Sequence, residues 1–219
     1  MVLTGGVHGP TLSPIESLAI NTLLIGAAFF LLLKPNLESR RSILMLSSIT
    51  LVAAASRVAL EPFPNVQPLT VMCLVVGGTL GARRGMAFAV IATLLSNLVL
   101  SNGWWTLFQA SGWALIALAG SKLAVVSENK IQMKRLVLFS AISSLLFGWW
   151  VSLSIWTPGM GGFEFAIYLL NGLPFDAMHV LASIVSAIWI APWLCDLIHE
   201  EVVLFDTPSP VGEVDVSNR

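Results

Sequence analysis

Residues 62–82 read PFPNVQPLTVMCLVVGGTLGA, and the fold turns on how this stretch is read. Its second part, Leu69–Ala82, is uncharged and predicts a membrane helix. Its fourteen residues reach only about 21 Å as a helix, short of a hydrocarbon core of roughly 30 Å. The proline-rich part must then enter the membrane edge in non-helical form. Irregular backbone at that depth persists only where protein buries it or where it lines a polar cavity. Asn65 and Gln67 are therefore expected to face a cavity open to the outside.

Composition agrees. Hydrophobic residues make up 56% and charged residues 11% of 219. A soluble domain carries about 25% charged residues. The mean hydropathy is +0.86. This is a multi-spanning, all-α membrane protein. Disorder, nucleic-acid binding and a secreted disulfide scaffold are excluded together. Net charge is −1, so bulk charge selects no partner. Cys73 and Cys195 lie in separate apolar runs without metal-ligand spacing and read as small buried hydrophobes.

Seven spans are expected: 15–33, 42–60, 69–82, 85–100, 105–126, 136–156 and 175–198. Lys34, Arg40, Arg41, Arg83, Arg84, Lys122, Lys130, Lys134, Arg135 and Arg219 lie in or beside alternate connections. The positive-inside rule then puts the N-terminus outside and the C-terminus in the cytoplasm. The chain divides into 1–41 (outer N-terminus, first span and first cytoplasmic loop), a six-helix core over 42–198, and an acidic, disordered cytoplasmic tail over 199–219.

The outer connections hold Pro, Gly, amides and aromatics but no cation. Trp149, Trp150 and Trp156 read as interfacial anchors. Asn65, Gln67, Asn97, Gln109 and Asn171 need polar partners, either one another or a ligand. Trp105, Gln109 and Trp113 share one helical face, a possible wall for a flat polar molecule or a packed aromatic stripe. Asp176 and His179 are expected in the first turn of the last helix. They are too few for a zinc site, and neither a metal nor a cofactor is expected. Arg57 is the one cation outside the cytoplasmic loops; it either pairs with Glu61 one turn later, pairs with Asp176, or grips an anionic ligand group. No phosphate-binding loop and no H-E-x-x-H or G-x-S-x-G motif occurs.

The runs RVALEPFPNVQPLT (57–70), GARRG (81–85), SNLVLSNGWWTLFQ (96–109) and NGLPFD–MH (171–179), in that order, resemble the substrate-binding S components of energy-coupling-factor vitamin transporters. The likeness covers roughly 42–197. It implies a six-helix core with one extra N-terminal transmembrane helix and a pocket at the outer face. It also implies a transmembrane coupling protein and two cytoplasmic ATPase subunits as partners. Pocket-lining roles carry over to Asn65, Gln67, Asn97, Trp105, Gln109, Asp176 and His179. Ala55 and Ala59 match the small-residue spacing used for docking the coupling protein, and Arg83 and Arg84 are alternative contacts.

The expected function is non-enzymatic binding and uptake of a vitamin-like micronutrient across the cell membrane, of cobalamin or queuosine type by the PNVQP-like segment. Two other readings stand beside it. One is a non-transporting sensor or accessory anchor docking through its tail. The other is an intramembrane enzyme using Asp176 and His179 as acid and base.

Overall fold

The structure, a computed structural model, describes residues 12–33 and 40–206, with backbone alone for 40–41 and 201–206. The expectations that fall on 1–11, 34–39 and 207–219 lie outside the described residues. In chain order the elements are α1 (Pro14–Leu32), α2 (Arg40–Ala59), α3 (Leu69–Leu80), α4 (Ala82–Leu100) and α5 (Trp105–Gly120). A two-stranded hairpin follows, β1 (Val126–Ser127) and β2 (Lys130–Ile131), then α6 (Met133–Ser152), a 3-10 turn (Leu153–Ile155) and α7 (Gly162–Asp206).

The chain is an all-α membrane protein. Among the described residues, five helical segments are long and apolar enough to cross a membrane: Pro14–Leu32, Ser42–Ala59, Ala82–Leu100, Met133–Ile155 and Gly162–Glu200. The helix at Leu69–Leu80 is shorter still than the sequence suggests, at 12 residues or about 18 Å. The fifth helix stops at Gly120 instead of continuing to Val126. Beyond it, Glu128 and Asn129 both adopt positive φ (52° and 59°) between the paired residues Ser127 and Lys130. Such a two-residue hairpin turn matches the twist of its flanking strands.

The apolar character of α3 runs all the way round, and Leu69 to Gly77 are all buried. It packs against α4, α5 and α7. Glycines set how close these backbones come. A Cβ on Gly77 would lie 2.0 Å from the Ala117 carbonyl oxygen, and one on Gly120 would lie 2.3 Å from the Leu74 carbonyl oxygen. Small residues at helix contacts are the main device for tight packing where water supplies no driving force. Serines do similar work between α6 and α7, where the buried Ser144 and Ser183 hydroxyls hydrogen-bond at 2.7 Å. Cys73 and Cys195 are buried and unpaired, as expected of small hydrophobes.

The last helix departs most from expectation. It begins at Gly162, more than three turns before Phe175, and runs 45 residues. Glu164 fixes its start by accepting a hydrogen bond from the Gly161 N–H at 3.0 Å. Phe165 then packs on Trp156, with ring centroids 4.5 Å apart. Pro174 and Pro192 lie inside the helix. Each removes one backbone bond, which membrane helices tolerate. Asp176 and His179 are thus mid-helix, and the first-turn placement fails. The same helix continues to Asp206, so the described part of the tail is helical.

The expected docking features differ in their surroundings. Ala55 and Ala59 are exposed on α2, and no described element covers them. Arg83 instead reaches α1, donating to the carbonyls of Phe30, Leu31 and Leu33 at 2.8–3.1 Å. Those carbonyls are the orphan acceptors of a helix C-terminus, so the charge caps the end of the helix.

The helix contacts predict a clear contrast. Gly120→Val should destabilise the detergent-purified protein by about 1–3 kcal/mol or more. Gly26→Val, where no atom lies within 4 Å of the added Cβ, should leave the thermal midpoint unchanged. Equal midpoints for the two variants would refute the close α3–α5 contact.

Candidate functional site

The site starts in the proline-rich turn. The Val66 N–H donates to the Phe63 carbonyl at 3.1 Å. Pro64 is the second residue of this turn, and Asn65, the third, has φ +59°. Proline presets the second position, and Asn tolerates the left-handed third. Asn65 therefore serves the backbone of the turn and does not line the cavity described below, contrary to expectation. The turn delivers Gln67 to the end of α2, where Arg57 lies.

Arg57 is only 3% exposed. Its Nε donates to Gln67 Oε1 at 3.3 Å. Its Nη1 donates to Ser96 Oγ and, at 3.2 Å, to Asn97 Oδ1. The guanidinium carbon sits 4.5 Å from the ring centre of Trp113. Asn97 continues the network, its Nδ2 donating to Thr106 Oγ1 at 3.0 Å and to Gln109 Oε1 at 2.9 Å. The Thr106 hydroxyl in turn donates to Asn102 Oδ1 at 3.0 Å. The amides thus find partners in one another, and the network ties together α2, the turn before α3, α4 and α5.

A second layer supports the first. Trp113 is fully buried, with Nε1 donating to Thr70 Oγ1 at 3.1 Å. The same Oγ1 lies 2.9 Å from His179 Nε2. An indole N–H can only donate, so the threonine accepts from it and is free to donate to the histidine. Phe147 stacks on Trp113 at 4.2 Å and meets the His179 ring edge-on at 5.6 Å.

Above the guanidinium lies a cavity of about 270 Å³. Arg57, Gln67, Asn97, Trp105 and Gln109 line it, as the sequence predicts. Sequence reasoning missed the lining residues Ser101, Ser152, Ser154 and Tyr168. Three of these are serines beside helix ends, a position that gives no distinctive signal. Tyr168 sits on the unexpected first turns of α7. Glu61 is an exposed lining residue but forms no ion pair with Arg57. The helix ends at Ala59, so the one-turn spacing that would bring the two side chains together is lost.

Other candidates lie elsewhere. Trp113 is the floor beneath Arg57 and forms no wall of the cavity. Asn171 is exposed on α7. Asp176 borders a separate apolar groove between α6 and α7 with Leu145, Leu173 and Val180, and it does not pair with Arg57. A Cβ on Gly148 would lie 2.1 Å from Asp176 Oδ1, so only glycine leaves room for that carboxylate. His179 belongs to the supporting layer. The helix start explains the placing of Asn171, Asp176 and His179: the sequence puts Asn171 in a connection and the other two in a first turn, whereas the helix begins at Gly162. A larger apolar groove of about 550 Å³ runs past Leu115, Leu146, Trp149 and Trp150. It lacks the convergent polar groups that orient a ligand.

Two substitutions test this reading. Asn65→Gly should keep stability, whereas Asn65→Val should lower it by about 1–3 kcal/mol, because a β-branched residue is strained at positive φ. Thr70→Val should cost about 1–3 kcal/mol by orphaning both Trp113 and His179, with Thr70→Ser restoring most of it. Thermal unfolding in detergent reads both, and a neutral Thr70→Val would remove the supporting layer from the account.

No curated protein and no solved structure matches the chain. One family model does, over residues 37–193, which takes in α2 to α6 and most of α7 but leaves out α1. The chain belongs to the family of unknown function DUF6580.

Proposed function

We propose that this protein is the substrate-binding membrane component of an uptake system for a small, polar, vitamin-like micronutrient. The observation that carries the reading is the cavity itself. Arg57, Gln67, Asn97 and Gln109 converge on it at one end of a bundle whose core is largely apolar. Polar groups inside a membrane bundle are costly to keep, and such groups mark ligand paths by default. The basic side chains Arg83, Lys122, Lys130, Lys134 and Arg135 are exposed at the opposite helix ends. By the positive-inside rule that end is cytoplasmic, which opens the cavity to the outside and sets the N-terminus outside.

The six helices α2 to α7 then form the binding core, with α1 an added span. The sequence has no phosphate-binding loop, so energy comes from partner chains, namely a transmembrane coupling protein and two ATPase subunits. Exposed Ala55 and Ala59 offer a small-residue face for the coupling protein. Arg84 remains a candidate contact, whereas the capping role of Arg83 explains that residue without a partner. The cavity volume of about 270 Å³ favours a compact, queuosine-base-sized or smaller molecule over a corrinoid.

A non-transporting sensor is the second reading, and the length of α7 favours it. At 45 residues this helix spans about 67 Å, well over the membrane core, and could carry a signal across it.

The deciding experiment is affinity purification of the tagged chain in mild detergent, with mass spectrometry of both proteins and small molecules. Transport predicts ATPase and coupling subunits together with one stoichiometric compound. Gln109→Ala should weaken binding of that compound roughly 10- to 100-fold by leaving a buried polar group unpaired. Recovery of the compound without any ATPase subunit would favour the sensor and sink the transport reading.

A further inference from the structure

We infer that the cavity binds a small carboxylate, with Arg57 as its counter-ion. The inference rests on the ligand-binding reading above and adds the charge class of the ligand. Arg57 is almost fully buried, yet each of its hydrogen-bond partners, Gln67, Ser96 and Asn97, is neutral. Among the described residues no carboxylate pairs with it. Neither carboxylate that the sequence offers as a partner reaches it, since Glu61 stays exposed and Asp176 borders another groove.

A buried ion costs several kcal/mol to desolvate, and it is kept where a partner charge repays that cost. Here no described residue supplies the partner charge, and Arg57 faces a cavity. The donor inventory agrees. A guanidinium has five N–H groups. Nε and Nη1 serve the protein, while Nη2 bonds to none of the described residues and keeps its N–H groups for a ligand. Carboxylate oxygens suit such planar donors.

The cavity also limits the charge to one. Among the described residues Arg57 is the only cation that lines it, and Glu61 is a carboxylate in the same lining. Tyr168 is the remaining titratable group there. A dianion such as a phosphate monoester would bring a second negative charge with nothing to balance it, close to Glu61. One buried positive charge matches one negative charge in a site of low dielectric. Trp105 supplies an apolar face beside the polar groups, suited to a carboxylate carried on a ring.

The test uses purified full-length protein in nanodiscs and two probes of the same shape, benzoate and the uncharged benzamide. Saturable binding is followed by calorimetry and by tryptophan fluorescence. Wild-type protein should bind benzoate at least about tenfold more tightly than benzamide. Arg57→Gln should abolish that preference, and Arg57→Lys should keep a weaker form of it. Gel filtration establishes that each variant is folded; if Arg57→Gln is not, the wild-type and Arg57→Lys preferences decide. Equal affinity for the two probes, preference for benzamide, or no saturable benzoate binding overturns the inference.

The result separates from the uptake reading. A neutral co-purifying compound with ATPase partners would leave uptake standing and remove the carboxylate. Benzoate preference without any ATPase partner would do the reverse.

Discussion

A single guanidinium holds the cavity end of this molecule together. Arg57 joins α2 to the turn before α3 through Gln67, to α4 through Ser96 and Asn97, and to α5 through the face of Trp113. In a membrane bundle each of these contacts is stronger than in water, because little solvent competes for the charge. The neutral partners spread the charge without cancelling it. Arg57 therefore keeps its positive charge at the cavity. The supporting layer keeps it there: Thr70 links His179 on α7 to Trp113, and Trp113 sets the height at which the cation rests.

The brevity of α3 makes room for this arrangement. A helix of twelve residues starts only at Leu69, and the turn before it brings Gln67 to the charge. The glycine contacts to α5 hold so short a helix in place, where Gly77 and Gly120 let its backbone nearly touch that of α5. An α3 extended toward the cavity end would displace the turn that delivers Gln67 and leave Arg57 only Ser96 and Asn97 as side-chain hydrogen-bond partners. The early start of α7 completes the wall from the other side by placing Tyr168 at the cavity.

The membrane class, the helix order and about half of the site could be read from the residues, and one constraint explains why. An amide or a cation in an apolar bundle must have a partner, so Arg57, Gln67, Asn97 and Gln109 stand out in the sequence, and Trp105 joins them by sharing a helical face with Gln109. Facing was harder to read. The sequence places Asp176 and His179 in a helix beginning at Phe175 and Asn171 in the connection before it, and a start more than three turns earlier changes what each can reach. Asn65 looked like a ligand group because its side chain is polar, although its backbone angle is what the turn uses. Ser96, Thr106 and Thr70 were passed over because hydroxyls are common in membrane helices and can satisfy themselves on their own backbone. Ser96 does this through the Ala92 carbonyl and still accepts from Arg57.

The first helix shows how separable the remaining structure is from this site. None of the residues lining the cavity comes from α1. Leu24 and Ala28 pack it against Val90 and Ala110, and Arg83 holds its last carbonyls, while most of its other side chains are exposed apolar groups suited to lipid. The matched family region begins at residue 37, after this helix. A contact made of two small apolar patches and one capping arginine adds a span without disturbing the helices that carry the charge network. The cavity therefore owes its form to α2 through α7, and Arg83, at the far end of α4 from Asn97, serves the bundle instead of the cavity.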